Sequence, residues 1–246
     1  MAFNCMADKS ISKIRAVAFD FDNTLVNTEK AMADAYAKIV AKIHIKYNVK
    51  EEALTEELAR IQREFLNKKE KSKEDYDRRY WFQKLSNDLK IGISKEDIEE
   101  YRRIFYSHLR DEITFSEHTG DVLKNIKDSG KKLAILTEAD PALPGFKQER
   151  LNKFPFYPLF DLSIIAGETI PEHKTQPEAF VKVTELLHMN PENVAFVGDS
   201  PEIDVKNAKE AGMIVILLLS YSENENPQFE PDYTAHSITG ILDILE

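Results

Sequence analysis

Short, mostly apolar runs separated by helical patterns constrain this chain more tightly than any other feature. The runs are Ala16 to Phe19, Leu133 to Leu136, Leu162 to Ala166, Val194 to Val197 and Met213 to Leu219. Between the later ones lie Asp121 to Lys127, Pro177 to His188 and Ile203 to Ala211, whose apolar residues recur at helical spacing. Strands that are apolar without alternation belong to parallel sheets buried on both faces. The alternation of strand and helix therefore predicts an α/β fold, a parallel sheet with helices on both faces. Residues 14–26 and roughly 116–246 share this texture.

Residues 27–115 do not. They are rich in Glu, Lys, Ala and Arg, and Gly92 is their one glycine. Ile39, Ile43 and Tyr47, and then Leu54, Leu58, Ile61 and Phe65, fall at helical spacing. Ser94 before Lys95-Glu96-Asp97 has the form of a helix cap. This block is expected to be an inserted all-α domain of about four helices. The charges of Lys68 to Asp77 alternate in sign, as on a solvated helix face. The expected division is thus a core of 1–26 and 116–246, with a helical domain of 27–115.

The first run ends in Asp20-Phe21-Asp22-Asn23-Thr24. In an extended chain Asp20 and Asp22 lie on one side with Phe21 opposite. Two carboxylates held together repel unless a cation or a shared proton intervenes. That cost is accepted most readily at a metal or acid-base site. Three further signals follow predicted strands. Thr137 closes Ala134-Ile135-Leu136, where its hydroxyl and the next backbone N–H, that of Glu138, can donate to a phosphate oxygen. Lys174 precedes a helix that Pro177 helps to start, and its ammonium can neutralise phosphate or screen carboxylates. Gly198-Asp199 ends a buried strand, with Asp204 at the head of a helix. Asp199 suits a hard cation, which takes oxygen ligands, and Asp204 can act through water or orient the ligands. Read alone, Asp199 or Ser200 would simply cap that helix.

In this order the four signals resemble the haloacid dehalogenase (HAD) superfamily. Its members carry a D-x-D-x-T/V strand end, a strand-end Thr or Ser, and a lysine near a K-P-x-P-x-x-F stretch. A G-D-x-x-x-x-D motif, or one a residue shorter, completes the set. Asp20, Asp22 and Thr24 match the first, Thr137 the second, Lys174 with Pro177 and Phe180 the third, and Asp199 with Asp204 the fourth. The helical block sits where the family's C1-type cap lies, and His118-Thr119-Gly120 is similar to the return from cap to core. Thr175 departs from the family's proline, and Glu138 stands where many members have Asn or a small residue.

The resemblance implies a Rossmann-like core, a Mg²⁺ cofactor and a two-step phosphoryl transfer. Asp20 would be the nucleophile, and Asp22 the general acid and then the base. That acid role needs Asp22 protonated, which a neighbouring anion would favour. Asp20, the Asp22 carbonyl and Asp199 would hold the metal, with Asp204 behind them. Thr137, Glu138 N–H and Lys174 would hold the phosphate. A dehalogenase needs no second acid, so Asp22 favours a phosphatase acting on a small phosphorylated metabolite. A phosphomutase or dehalogenase-type relative, or a silent phospho-ligand binder, is the alternative. In the helical domain, Tyr76, Arg78, Arg79 and Trp81 form an aromatic–basic cluster suited to selecting a substrate.

Composition narrows the setting. The 246 residues are 42% hydrophobic and 31% charged, as in a soluble globular protein. Met1 to Ser10 lacks the apolar stretch of a signal peptide, and Met213 to Leu219 is too short to span a bilayer. Cys5 is the single cysteine, so no internal disulfide is expected and the cytoplasm is the default compartment. A net charge of −10 disfavours nucleic acid as a partner. It also means that a phosphate site must be made positive locally. The histidines show no metal-ligand spacing.

Overall fold

The computed structural model describes residues 11–68, 73–221 and 228–246. Cys5 and part of the charged stretch between Lys68 and Asp77 lie outside the described residues. The chain divides into two compact units, one of residues 1–27, 114–139 and 147–246, the other of 28–113 and 140–146.

The first unit is built on a parallel sheet. Its strands are β1 (Ala16–Phe19), β2 (Lys132–Glu138), β3 (Leu162–Ala166), β4 (Val194–Gly198), β5 (Ile214–Leu218) and β6 (Tyr233–Ala235). They are ordered β3-β2-β1-β4-β5-β6, with every recorded pairing parallel. Period-two alternation explains how the apolar runs are used. Ala16, Ala18, Ala134, Leu136, Ile164, Val194 and Phe196 face one buried cluster, with Phe180 and Val183 from a helix packed on them. The interleaved Val17, Phe19, Leu133, Ile135 and Val197 are buried just as fully. Both faces are therefore covered, as the lack of alternation predicts. The alanines of β1 and β2 are small because Phe180 and Phe196 fill the layer above them, with ring centroids 4.8 Å apart.

The second unit holds α1 (Thr28–Tyr47), α2 (Glu51–Asn67), the short α3 (Lys73–Tyr76), α4 (Arg78–Asp88) and α5 (Lys95–Asp111). Ile39, Ile43, Leu54, Leu58 and Ile61 meet in its core, so the helical spacing is realised. Ser94 caps α5 by accepting from Asp97 N–H at 3.2 Å. Residues 140–146, expected in the core unit, cluster instead with the helices. The cause is apolar: Phe146 is buried against the Tyr106 ring, with centroids 5.3 Å apart.

The remaining helices are α6 (Thr119–Asp128), α7 (Phe146–Lys153), α8 (Pro177–Leu187), α9 (Lys206–Glu210) and α10 (Gly240–Leu245). The helix expected over Ile203 to Ala211 is split. A π-helical turn, Pro201–Val205, precedes α9, with Val205 N–H reaching back five residues to Ser200 C=O at 3.1 Å. Strand β6, α7 and α10 were not anticipated from the sequence. No helix among the described residues is long and apolar enough to cross a membrane.

Candidate active site at the carboxyl ends of three neighbouring strands

Sheet order decides where the chemistry-bearing residues meet. Strand β1 lies between β2 and β4, so the segments that leave these three strands are neighbours. The strand order reverses direction at β1, and ligands of open α/β sheets bind outside the carboxyl ends at such a point. Asp20 follows β1, Thr137 is the penultimate residue of β2, and Asp199 follows β4. The strand stops at Phe19, so the alternation argument does not extend through Asp22. Asn23 takes a left-handed φ of 57°, turning the chain back so that Leu25 N–H meets Phe21 C=O at 3.0 Å.

Asp20, Asp199 and Asp204 offer carboxylate oxygens that all lie within 4.8 Å of one another. Asp20 and Asp204 are buried, and Lys174 joins them, with its Nζ 2.6 Å from Asp20 Oδ1 and 2.9 Å from Asp204 Oδ1. Burial first, and the Asp204 and Asp22 charges next, raise Asp20 to about 6 against the pull of Lys174. Asp199 is raised further, to about 8, by burial and by Asp20 and Asp204. For Lys174 burial opposes the charge, but the two carboxylates outweigh it and push the ammonium up. Thr24 Oγ1 lies 3.4 Å from Asp199 Oδ1. Thr137 is 1% exposed, and its hydroxyl has no partner among the described residues. An unpaired buried hydroxyl costs about 1–3 kcal/mol; Tyr36, Ser163 and Ser220 carry such hydroxyls as well, but that of Thr137 lies at the strand end beside the acids.

Local backbone features hold these groups. Gly198 is required because a Cβ there would stand 2.3 Å from Asp204 Oδ2. Ser200 Oγ accepts from Ile203 N–H and Ser200 N–H donates to Asp204, which ties the π turn to the strand end. Asn207, 2% exposed on α9, donates to Lys174 C=O at 3.0 Å and so anchors the lysine loop from below. Gly198→Ala is expected to displace Asp204 and lower the thermal midpoint by several degrees, about 2–4 °C per kcal/mol for a chain of this size. An unchanged melting curve would show that the strand end has room to yield.

Two features differ from expectation. Glu138 contributes more than a backbone N–H: its carboxylate accepts from Lys174 N–H at 2.8 Å and meets His173 Nδ1 at 2.5 Å. The departure from the family pattern at this position thus latches the lysine loop to β2. The second concerns Asp22. Its carboxylate is gripped by Lys147 and by Arg150, whose Nη2 lies 2.5 Å from Oδ1. Burial would raise Asp22, but the Arg150 and Lys147 charges outweigh it and hold the group well below the ordinary carboxylate range. The expectation of a protonated Asp22 is therefore wrong for this state, because two cations and not a neighbouring anion set its charge.

Lys147 and Arg150 are the residues that sequence reasoning missed. They lie three apart on α7, hence on one face of it. The signals were present: Pro144-Gly145 marks a turn, and basic residues recur at helical spacing beyond it. With Lys174 they set three cations against the carboxylates of Asp20, Asp22, Asp199 and Asp204. They cancel most, and not all, of the local negative charge that a phosphate would meet.

Tyr76, Arg78, Arg79 and Trp81 belong to the helical unit, where Trp81 is buried, Tyr76 and Arg78 are half-buried and Arg79 is exposed. The Arg78 guanidinium lies 3.9 Å from the Trp81 ring centre and 4.6 Å from that of Phe105. Trp81 is 5% exposed and donates to Asp75 C=O at 2.7 Å. Arg79 pairs with Glu99 at 2.7 Å, and Tyr76 meets the Phe65 ring edge-on.

The chain is similar to known proteins in sequence and in fold. The chain is 24% identical to the N-acylneuraminate-9-phosphatase of Rattus norvegicus, over 82% of its length and 81% of the relative's. It is 25% identical to the phosphoglycolate phosphatase of Aquifex aeolicus, over 95% and 97%. Its fold matches that of the HAD-hydrolase YfnB from Bacillus subtilis, crystallised with magnesium, at a TM-score of 0.74 and 20% identity, covering 95% of this chain and 99% of that one. Residues 17–218, which run from β1 to the end of β5, match the family model described as haloacid dehalogenase-like hydrolase. With its sheet, its strand-end acids and this match in agreement, the chain belongs to the haloacid dehalogenase-like hydrolase family.

Proposed function

We propose that the protein is a phosphatase that hydrolyses a phosphomonoester of a small metabolite. The observation that carries this reading is the unpartnered Thr137 hydroxyl, buried in the strand next to the one that Asp20 follows. An anion with several acceptor oxygens satisfies it, and the buried Lys174 ammonium supplies the opposite charge. The phosphatases among its relatives support the same reaction class.

The residues fit a divalent cation. The donors are all oxygen, they converge, and burial together with their mutual repulsion pushes Asp20 and Asp199 upward. Asp20 and Asp199, with Asp204 beside them, would hold Mg²⁺. When bound, the ion screens the repulsion between an anionic carboxylate and an anionic phosphate.

Asp20 attacks phosphorus as the bond from phosphorus to the leaving oxygen breaks, an aspartyl phosphate forms, and the departing oxygen takes its proton from solvent water because Asp22 is held ionised. Lys174, Thr137 and the Glu138 N–H hold the transferring oxygens. Most of the rate in such a reaction comes from positioning and charge. The acid form of Asp22 is opposed by Lys147 and Arg150, so its carboxylate is set for the second step, in which water attacks.

The test is release of p-nitrophenol from its phosphate ester, with Mg²⁺ and with a chelator. Absence of turnover by folded, Mg²⁺-loaded protein would sink the proposal.

Stability should also report the metal. Asp20 and Asp199 have folded-state values of about 6 and about 8 against 3.8 unfolded, so the metal-free folded state binds more protons across that interval. Their contribution to stability is complete below about pH 4 and is lost as pH rises through about 6 and about 8. Asp22 has the opposite sign, and its contribution is constant throughout that window. The thermal midpoint of metal-free protein is expected to fall across this interval, and added Mg²⁺ should flatten the decline. A midpoint that rises towards pH 8 without metal would contradict the carboxylate cluster.

A further inference from the structure

The grip on Asp22 is unusual in its charge balance. Lys147 and Arg150 side chains are 7% and 4% exposed, while the carboxylate they share is 26% exposed. Buried cations are rare and costly, and a structural pair needs only one of them. Here two of them meet a single acid at the candidate site. Each takes a different oxygen, Lys147 on Oδ2 and Arg150 on Oδ1. The carboxylate plane is thereby fixed at both ends. Phe21 completes the arrangement. It is 1% exposed, its ring centre lies 5.2 Å from Arg150 Cζ and 6.0 Å from Lys147 Nζ, and it packs edge-on against Phe154 beyond α7. The residue between the two acids thus seats the helix that supplies both cations.

We propose that Lys147 and Arg150 are positioning residues that fix the Asp22 carboxylate as acceptor of the attacking water's proton, and so commit the site to hydrolysis. The inference rests on the phosphatase reading above. In the step concerned, a water oxygen forms a bond to phosphorus while the bond from phosphorus to Asp20 Oδ breaks. The electron pair returns to Asp20, the water proton passes to Asp22, and inorganic phosphate is released. The two cations also weaken Asp22 as a base, so the proposal requires that fixed orientation outweigh that loss: a carboxylate free to turn would present a lone pair to the water less often, and the phosphorylated protein would persist.

Rapid mixing with p-nitrophenyl phosphate and Mg²⁺ tests this, because nitrophenolate leaves without needing a proton. Lys147→Met and Arg150→Met should each show a near-stoichiometric burst of nitrophenolate, followed by a steady state slowed about 10- to 100-fold. KM should fall with kcat, leaving kcat/KM within about 3-fold, since only the second step is impaired. Lys147→Arg and Arg150→Lys should recover much of the steady-state rate. Loss of kcat/KM in parallel with kcat, with no burst, would overturn the proposal, as would unchanged kinetics. Asp22→Asn separates the two levels of inference: if it too lowers kcat without a burst, Asp22 is not the base and the reading beneath the proposal fails. Should Arg150→Met not fold, Arg150→Gln carries the test, because it keeps a donor of similar shape while removing the charge; a burst supports the proposal and unaltered kinetics refute it.

Discussion

Replacing Asp20 with Asn lowers phosphatase turnover by roughly 10³-fold or more, because the amide cannot form the acyl phosphate on which the reaction depends. The expected structural consequence is of opposite sign. Asp20 is raised to about 6, so its ionised form is less welcome in the folded protein than in the unfolded chain at neutral pH. Asn has nearly the same size and removes one of the charges crowded around Asp199. The metal-free variant should therefore melt no lower than the parent. An inactive, destabilised variant would indicate structural damage, and an active one would remove Asp20 from the mechanism. Both quantities come from one preparation, by nitrophenolate release and by thermal melting.

Lys174→Met is the second large effect. Its Nζ is shared between Asp20 and Asp204, and the side chain is 6% exposed. Taking one partner from a buried ion pair costs about 3–5 kcal/mol, since the remaining charge is left without compensation. Two acids lose their cation here, and the substrate phosphate loses its countercharge as well. A fall in denaturation free energy of that order is expected, with activity reduced about 10²-fold or more. Mg²⁺ should restore part of the stability and little of the activity, because a metal can screen the acids without occupying the lysine's place beside the phosphate. Full recovery of activity with Mg²⁺ would show that Lys174 serves only the fold.

Much of this was legible in the sequence, for identifiable reasons. Strands β1 to β5 declare themselves because burial on both faces makes their central residues mostly apolar. Their terminal acids stand out against apolar runs, so Asp20, Thr137 and Asp199 could be named. The helical unit was visible from its spacing and its scarcity of glycine. Strand β6, Tyr233–Ala235, is a three-residue edge strand with an exposed centre, too short for periodicity to register. Helix α7 spans two units, with Phe146 buried among one set of residues and Leu151 in the other, which blurs its apolar stripe. The charge state of Asp22 was misjudged for the same reason. Its partners are more than 120 residues away in sequence, and no local pattern reports them. Residues 140–146 were misplaced because Phe146 is held by a ring from α5, a contact without any nearby signal.

The π-helical turn at Pro201–Val205 bears on how sequences of this kind can vary in length. An α-helix advances about 100° per residue, so deleting one position normally swings everything beyond it to another side. A single wide turn absorbs one residue locally and leaves the following helix in phase. Four residues separate Asp199 from Asp204 in this chain, and the extra backbone is taken up between Ser200 and Val205. Sequences with three intervening residues could keep the same acid over the same glycine by tightening that turn to ordinary helix, which makes this spacing a tolerated length polymorphism and not a mark of different chemistry.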